Sequence, residues 1–528
     1  MPLSLIFERD VAVPVRDGTE LRCNVYRPVD DGRYPVLMTL GPYGKDRPLA
    51  ERAPDLFAEI GGGTFLNWET PDPEYWVPRG YVVVRVDGRG TGASPGPLAP
   101  FEPRVADDFY DAIEWAGTQP WCTGKVGLLG ISYYAMSQWA VAARRPPHLT
   151  AMMPWEGAAD MYRDFQRHGG ILSARFMRWW WNNAVINVQH GSDGTIDEAG
   201  RAALRTDPLL EAVSLPLDGD HYRNWLPDLA DIEVPFVSVG NWGNLGLHLR
   251  GNIEAYVGAS SRHKWLRVIT GDHILPFYEP EALRMQEKFF GYWLKGEDTG
   301  WLDEPRVRLA IRRGAETGSR DGDGWPLPGT QWTELELDAY DLSLGGEPAG
   351  EAEVSYTAPD GGVEFSTAPF TVETEITGPV ALRLWVSSST EDMDIFVRLR
   401  EIGPDGGETL GISPNGTEVP LALGWLRVSH RELDEKRSLP YRPYHKHSSE
   451  QLLSPGQVVP VDVEIWPTSI VVQPGHRLVL GIAGADFPSG NSFFHDDPED
   501  RPASRFAGTN TVHTGGQRRS FLLLPVIR

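Results

Sequence analysis

One serine of this chain stands where a nucleophile would. In Gly130-Ile131-Ser132-Tyr133-Tyr134 the serine follows the apolar run VGLL and precedes the helical run AMSQWAVAARR. A strand, a sharp turn and a helix in that order lift a serine Oγ off the end of a sheet, and the helix N-terminus favours negative charge developing there. A full G-x-S-x-G elbow has glycine where this chain has Tyr134. The local pattern alone is therefore also that of a serine capping a helix.

A serine hydroxyl becomes a useful nucleophile only with a base in hydrogen-bond reach. His273, in VITGDHILPFY, ends an apolar strand and precedes a closing helix, the position of the base in an α/β-hydrolase order. His263 lies before that strand, and His248, in GLHLRG, reads as a helix residue. The acid is less plainly marked. The strand VPFVSVG leads into Asn241-Trp242-Gly243-Asn244 with no carboxylate before Glu254. A neutral amide holds an imidazole tautomer but does not stabilise imidazolium as a carboxylate does. The strand LTAMMPW, which follows the nucleophile's helix, ends at Glu156, which makes Glu156 the leading acid. Asp160 reads as a cap of the next helix, and Asp272 would point away from its neighbour's ring. Of the donors for an oxyanion, one is the Tyr133 N–H, next to the serine. The second comes from the loop GPYGKD, where Tyr43 offers its phenol or its backbone N–H.

The elements that must position these groups alternate. VAVPVRDG and TELRCNVYRPV read as a hairpin turning at Asp17-Gly18, and YPVLMTLG and YVVVRVDG as buried strands stopped by glycine. DDFYDAIEWAG places Phe109, Ala112, Ile113 and Ala116 at helical spacing. Strands alternating with helices predict a mostly parallel sheet covered on both faces. Residues 158–230, rich in Trp and Arg with no clear strand, interrupt the pattern as a helical cap insertion. From 303 onward short strands such as RVRLAIR, PVALRLWVSS and HRLVLGIAG predict an all-β jelly-roll sandwich. The expected organisation is an α/β core over 1–157 and 231–302, the cap over 158–230, and the sandwich over 303–528.

Composition narrows the function classes. The 528 residues carry a net charge of −24, and there is no basic run of five, which argues against a nucleic-acid partner. Apolar runs fall well short of the roughly 20 residues a membrane span needs. The first residues lack the basic and apolar regions of a secretory signal, so a soluble, cytoplasmic location without membrane partners is expected. Cys23 and Cys122 make neither a disulfide framework nor a zinc knuckle.

The segments GPYGKD, DGRGTGAS, IEWAGTQPWCTGKVGLLGISYYAMSQW, PWEGAADMYRD, EKFFGYWLKGEDTG and GWLRVSHREL together resemble the cocaine esterase / X-Pro dipeptidyl-peptidase-like family of serine hydrolases, in order over nearly the whole chain. The resemblance implies an α/β-hydrolase core with a helical cap and a C-terminal jelly roll. It puts the nucleophile on Ser132, the base on His273, and the tyrosine whose hydroxyl completes the oxyanion hole on Tyr43. Where cocaine esterase-like members carry W-x-Asp, this chain has Trp242-Gly243-Asn244. Either Asn244 does a reduced job or Glu156 has taken the role. The expected activity is hydrolysis of carboxylic esters or acyl amides through an acyl-enzyme, with no metal or organic cofactor. X-Pro dipeptidyl-peptidase or α-amino acid ester hydrolase activity is the alternative within the family. The rival from another class is a binding protein with a degraded core acting through its sandwich. In the hydrolase reading that sandwich shields the site and contributes to association as a homo-oligomer.

Three further motifs have competing readings. Asp87, Arg89 and Gly90 in VDGRGTG lack the lysine of a phosphate loop and are expected to brace the nucleophile elbow. Trp179-Trp180-Trp181 cannot share one helix face, so pocket wall and packing are both open to them. His495-Asp496-Asp497 reads as a solvated loop.

Overall fold

The first two strands pair as their alternation requires. In the computed structural model, which describes residues 5–225, 228–488 and 492–528, β1 (Leu5–Pro14) and β2 (Glu20–Pro28) run antiparallel. The turn between them contains Gly18 at φ +84°. Then come β3 (Tyr34–Gly41), β4 (Val82–Asp87), β5 (Cys122–Ile131) and β6 (Leu149–Trp155). A two-residue hairpin, β7 (Arg167–His168) and β8 (Ile171–Leu172), precedes β9 (Phe236–Asn241) and β10 (Lys264–Ile269). Pairings give the order β1-β2-β4-β3-β5-β6-β9-β10, antiparallel up to β4 and parallel from there on.

Alternate residues of the parallel strands feed two apolar layers. Val82, Val84 and Val86 of β4 join a cluster with Phe109 and Ile113 of α1 (Arg104–Gly117) and Trp139 of α2 (Tyr133–Ala142). Val83 joins the opposite cluster, with Phe289 and Phe290 of α5 (Pro280–Phe290). Between these helices in sequence lie α3 (Ala174–Trp180) and α4 (Leu249–Gly258). Every residue of α2 is buried, including Ser137 and Gln138, whose side chains donate to the Leu40 and Tyr134 carbonyls.

Residues 158–230 are mostly short helices, but the β7–β8 ladder is a strand pair that their composition did not announce. Gly169 and Gly170, both at positive φ, make its turn. From Val307 the regular elements of the described residues are nearly all strands, with their own apolar core around Leu382, Val397, Val463 and Leu480. Long antiparallel pairs such as Thr374–Ser388 with Val459–Val472 build it. The seam is a shared strand: β11 (Val307–Arg313) pairs parallel with β10, adding a strand to the α/β sheet, and reaches Ile470 at Arg312. It then turns into β12 (Glu316–Gly322).

Candidate active site

Ser132 lies between β5 and α2 with φ +59° and ψ −118°, a backbone conformation that costs a non-glycine residue on the order of 1–3 kcal/mol and persists only where the surroundings enforce it. They do: Ser132 N–H donates to Trp155 O at 3.0 Å and Ile131 N–H to Glu69 O at 3.1 Å. Tyr134 fits where an elbow has glycine because the space is made elsewhere. A Cβ on Gly130 would come within 2.7 Å of Tyr134 Cβ, and one on Gly41 within 2.6 Å of its ring.

Glu156, itself at φ +49°, is fully buried and meets His273, with Oε2 3.1 Å from His273 Nδ1. Asn244 Nδ2 donates to the same Oε2 at 2.7 Å and Asn241 Nδ2 to Oε1 at 3.3 Å. The two candidates for the acid position therefore touch: the amide at the usual place holds the carboxylate from the neighbouring strand. Asp160 caps the helix Met161–Gln166, and Asp272 accepts the Ile274 and Leu275 N–H groups.

The histidines differ from expectation in one respect. The hydrogen bond on Ser132 Oγ is made by His248 Nε2, at 3.1 Å, while His273 Nε2 sits 3.3 Å from Glu69 Oε1. His248 is the residue just before α4, not inside it, and its Nδ1 accepts the Ala158 N–H at 3.0 Å. The two imidazoles are stacked, centroids 5.7 Å apart and planes 9° from parallel. Burial and the neighbouring His273 hold the His248 pKa well below the usual range. Burial also disfavours the His273 imidazolium, but Glu156 and Glu69 together outweigh it and push its pKa up to about 10. That attraction explains why His273 Nε2 rests on Glu69. His263 packs against Trp293 instead.

Tyr43 is buried, and its hydroxyl oxygen accepts the Trp180 Nε1–H at 2.9 Å. The loop that carries it is fixed by Asp87, whose Oδ1 accepts the Lys45 N–H at 2.7 Å. Burial raises the Asp87 pKa to about 6 against the pull of Lys45. Arg89 forks onto Asp108 at 2.7 and 2.8 Å. The VDGRGTG loop thus braces the Tyr43 loop rather than the elbow. Of the three tryptophans, Trp179 is 56% exposed, Trp181 is core, and Trp180 stacks on Tyr133 and Phe101 at the site. His495 is buried, bonded to Asp486 at 2.9 Å and His168 at 2.8 Å, so its loop is not the solvated one its sequence suggested. Sequence reasoning missed Glu69. It lies in GGGTFLNWET, a loop without periodicity, and reaches the site through the bond of its own carbonyl to Ile131.

Residues 17–275 match the family model of the X-Pro dipeptidyl-peptidase (S15 family), and residues 299–523 that of the X-Pro dipeptidyl-peptidase C-terminal non-catalytic domain. A solved CocE/NonD family hydrolase from Staphylococcus aureus is 34% identical, with a TM-score of 0.90 over 99% of this chain and 94% of that one. Cocaine esterase from Rhodococcus sp. is 28% identical over 98% of each chain. A solved α-amino acid ester hydrolase, 17% identical, shares the fold, with a TM-score of 0.73 over 99% of this chain and 97% of that one. With these neighbours the architecture is an α/β-hydrolase fold followed by a C-terminal β domain.

Proposed function

Because the chain belongs to the cocaine esterase / X-Pro dipeptidyl-peptidase-like family of serine hydrolases, which cleave ester or amide bonds, we propose that Ser132 is its nucleophile, His273 its base and Glu156 its acid. Membership also sets aside the degraded-core reading. The observation that carries the assignment is the Glu156–His273 hydrogen bond beside a serine on a strained elbow. A carboxylate on Nδ1 fixes the tautomer in which Nε2 is the basic nitrogen, and stabilises the imidazolium that forms. Asn244 orients that carboxylate in place of supplying it.

In this reading His273 first gives its Nε2 proton to solvent and turns from Glu69, and the neutral ring then takes the Ser132 proton on Nε2 as Oγ attacks the acyl carbon. The proton then passes to the leaving group, and water releases the acyl-enzyme by the reverse transfer. The oxyanion is held by the Tyr133 N–H, which as the first amide of α2 has no partner within the helix, and by the Tyr43 hydroxyl. Since the Tyr43 oxygen accepts the Trp180 indole N–H, its own hydrogen is left to donate. Residues 158–230 serve as a helical cap that brings Trp180 to Tyr43, and 303–528 as a jelly roll shielding the site. Small-molecule carboxylic esters or acyl amides are the substrates this geometry suits.

Turnover of p-nitrophenyl acetate and butyrate tests it. Ser132→Ala is expected to lose at least about 10³ in kcat, Glu156→Gln to follow it, and Asn244→Ala to lose markedly less. Wild-type turnover by Ser132→Ala would end the reading.

A further inference from the structure

The hydrogen bond that Ser132 makes at rest is not the one a base would make. An imidazole nitrogen that accepts an N–H cannot carry a proton. Because His248 Nδ1 accepts the Ala158 N–H, the ring's proton is on Nε2, the nitrogen 3.1 Å from Ser132 Oγ. His248 therefore donates to the serine and has no lone pair with which to take the serine's proton. Among the described residues, none in contact with the ring favours a second proton. One face is stacked on His273, and Glu156 gives its oxygens to His273, Asn244 and Asn241. The residue is almost completely buried, its N–H faces Asn244 Oδ1 at 3.4 Å, and its carbonyl accepts the Asn252 N–H of α4 at 3.0 Å. The donor is thus fixed in place before any substrate arrives.

We propose that His248 is a catalytic residue: a neutral hydrogen-bond donor to Ser132 Oγ that stabilises negative charge on that oxygen and keeps its own proton throughout the cycle. The proposal rests on Ser132 being the nucleophile and His273 the base. In acylation the Oγ–C bond forms as the Oγ proton passes to His273 Nε2, and the second Oγ lone pair stays on the His248 N–H. The bond to the leaving group then breaks with the proton returned from His273. In deacylation water attacks, its proton goes to His273, and the Oγ–C bond breaks with Oγ leaving as a developing alkoxide, which the same donor stabilises before His273 reprotonates it. One fixed donor at an oxygen that gains charge in both half-reactions acts on kcat rather than KM.

The test compares His248→Phe and His248→Gln with the wild type, Ser132→Ala and His273→Gln on p-nitrophenyl butyrate. His248→Phe keeps the ring and loses the donor. It is expected to lower kcat about 10²-fold, the scale of removing one preorganised donor, with KM within about 3-fold. His248→Gln, which keeps an N–H near Nε2, is expected to recover most of that loss and to leave the acid limb of the kcat/KM profile in place, since His273 titrates there. A His248→Phe enzyme within about 2-fold of wild type overturns the proposal and leaves the hydrolase reading intact. A His248→Gln enzyme as inactive as Ser132→Ala, beside an active His273→Gln, overturns it by making His248 the base. Histidine-selective ¹⁵N NMR of the intact enzyme decides the matter should a variant misfold: a proton on Nε2 alone from pH 5 to 9 is expected, and a proton on Nδ1 overturns the proposal.

Discussion

The two halves of the site are held by different parts of the molecule. The half around Ser132, the proposed nucleophile, is assembled within the α/β region: the elbow hangs from Trp155 O and Glu69 O, between β5 and α2. The half around His273, the proposed base, leans on the C-terminal domain. His273 N–H donates to Pro414 O at 3.0 Å. Gly243, in the loop of Asn244, lies so close that a Cβ there would stand 1.6 Å from Ile412 O. The proposed nucleophile is thus positioned by one sheet, whereas the proposed base and the loop that steadies its acid are positioned by two domains at once. A disturbance of the C-terminal domain should then silence the base while the serine keeps its geometry.

The strongest way to break that comparison is Gly243→Ala, which must displace the Ile412 segment. Misplacing a reacting group by about 1 Å costs on the order of 10²-fold, and a loss of that size in kcat is expected. Hydrogen exchange should quicken over 268–275 and 411–417 and stay unchanged over 129–136. Equal quickening at the elbow would show that the halves are not independent. Next in size is Glu69→Gln, which removes one of the two carboxylates that raise the His273 pKa to about 10. The base works deprotonated, so the acid limb of kcat/KM should move to lower pH and activity at neutral pH should rise. A limb that does not move would mean that Glu69 does not hold Nε2 in solution. The same raised pKa supplies stability that is full below the ordinary imidazole value of about 6.5 and is lost as pH rises through about 10, and the variant should flatten that dependence in Tm. The smallest effect is expected of Trp180→Phe, which keeps an aromatic ring against Tyr133 but removes the N–H that Tyr43 accepts. A kcat loss of about 3–10-fold with little change in KM would match one neutral hydrogen bond of about 1 kcal/mol.

What could be read beforehand follows from range along the chain. The Ser132 elbow was legible because strand, turn and helix are consecutive, and Glu156 because a strand end next to β5 must lie beside the nucleophile. Pairs across the sheet were harder. Nothing in GLHLRG tells that His248 stops one residue short of α4 and turns its ring to the serine, since that depends on the Ala158 amide ninety residues earlier. Glu69 was invisible for a related reason: an irregular loop has no period, and its place is set by a backbone bond to Ile131. The Tyr134 departure looked like a weakness of the motif. It is compensated by Gly41 and Gly130, whose missing side chains only the packed structure relates to it.

The strand shared at the seam has a consequence for how this protein can exist at all. Without β11 the parallel sheet would end at β10, whose sequence KWLRVI would offer an open row of amides and carbonyls to any other chain, the usual route to edge-to-edge aggregation. Instead β11 covers that row, and β12, largely exposed and carrying Glu316, Arg320 and Asp321, closes the sheet with charge. The hydrolase half made by itself would be a sticky fragment, which gives physical grounds for the two halves to be inherited and synthesised as one polypeptide.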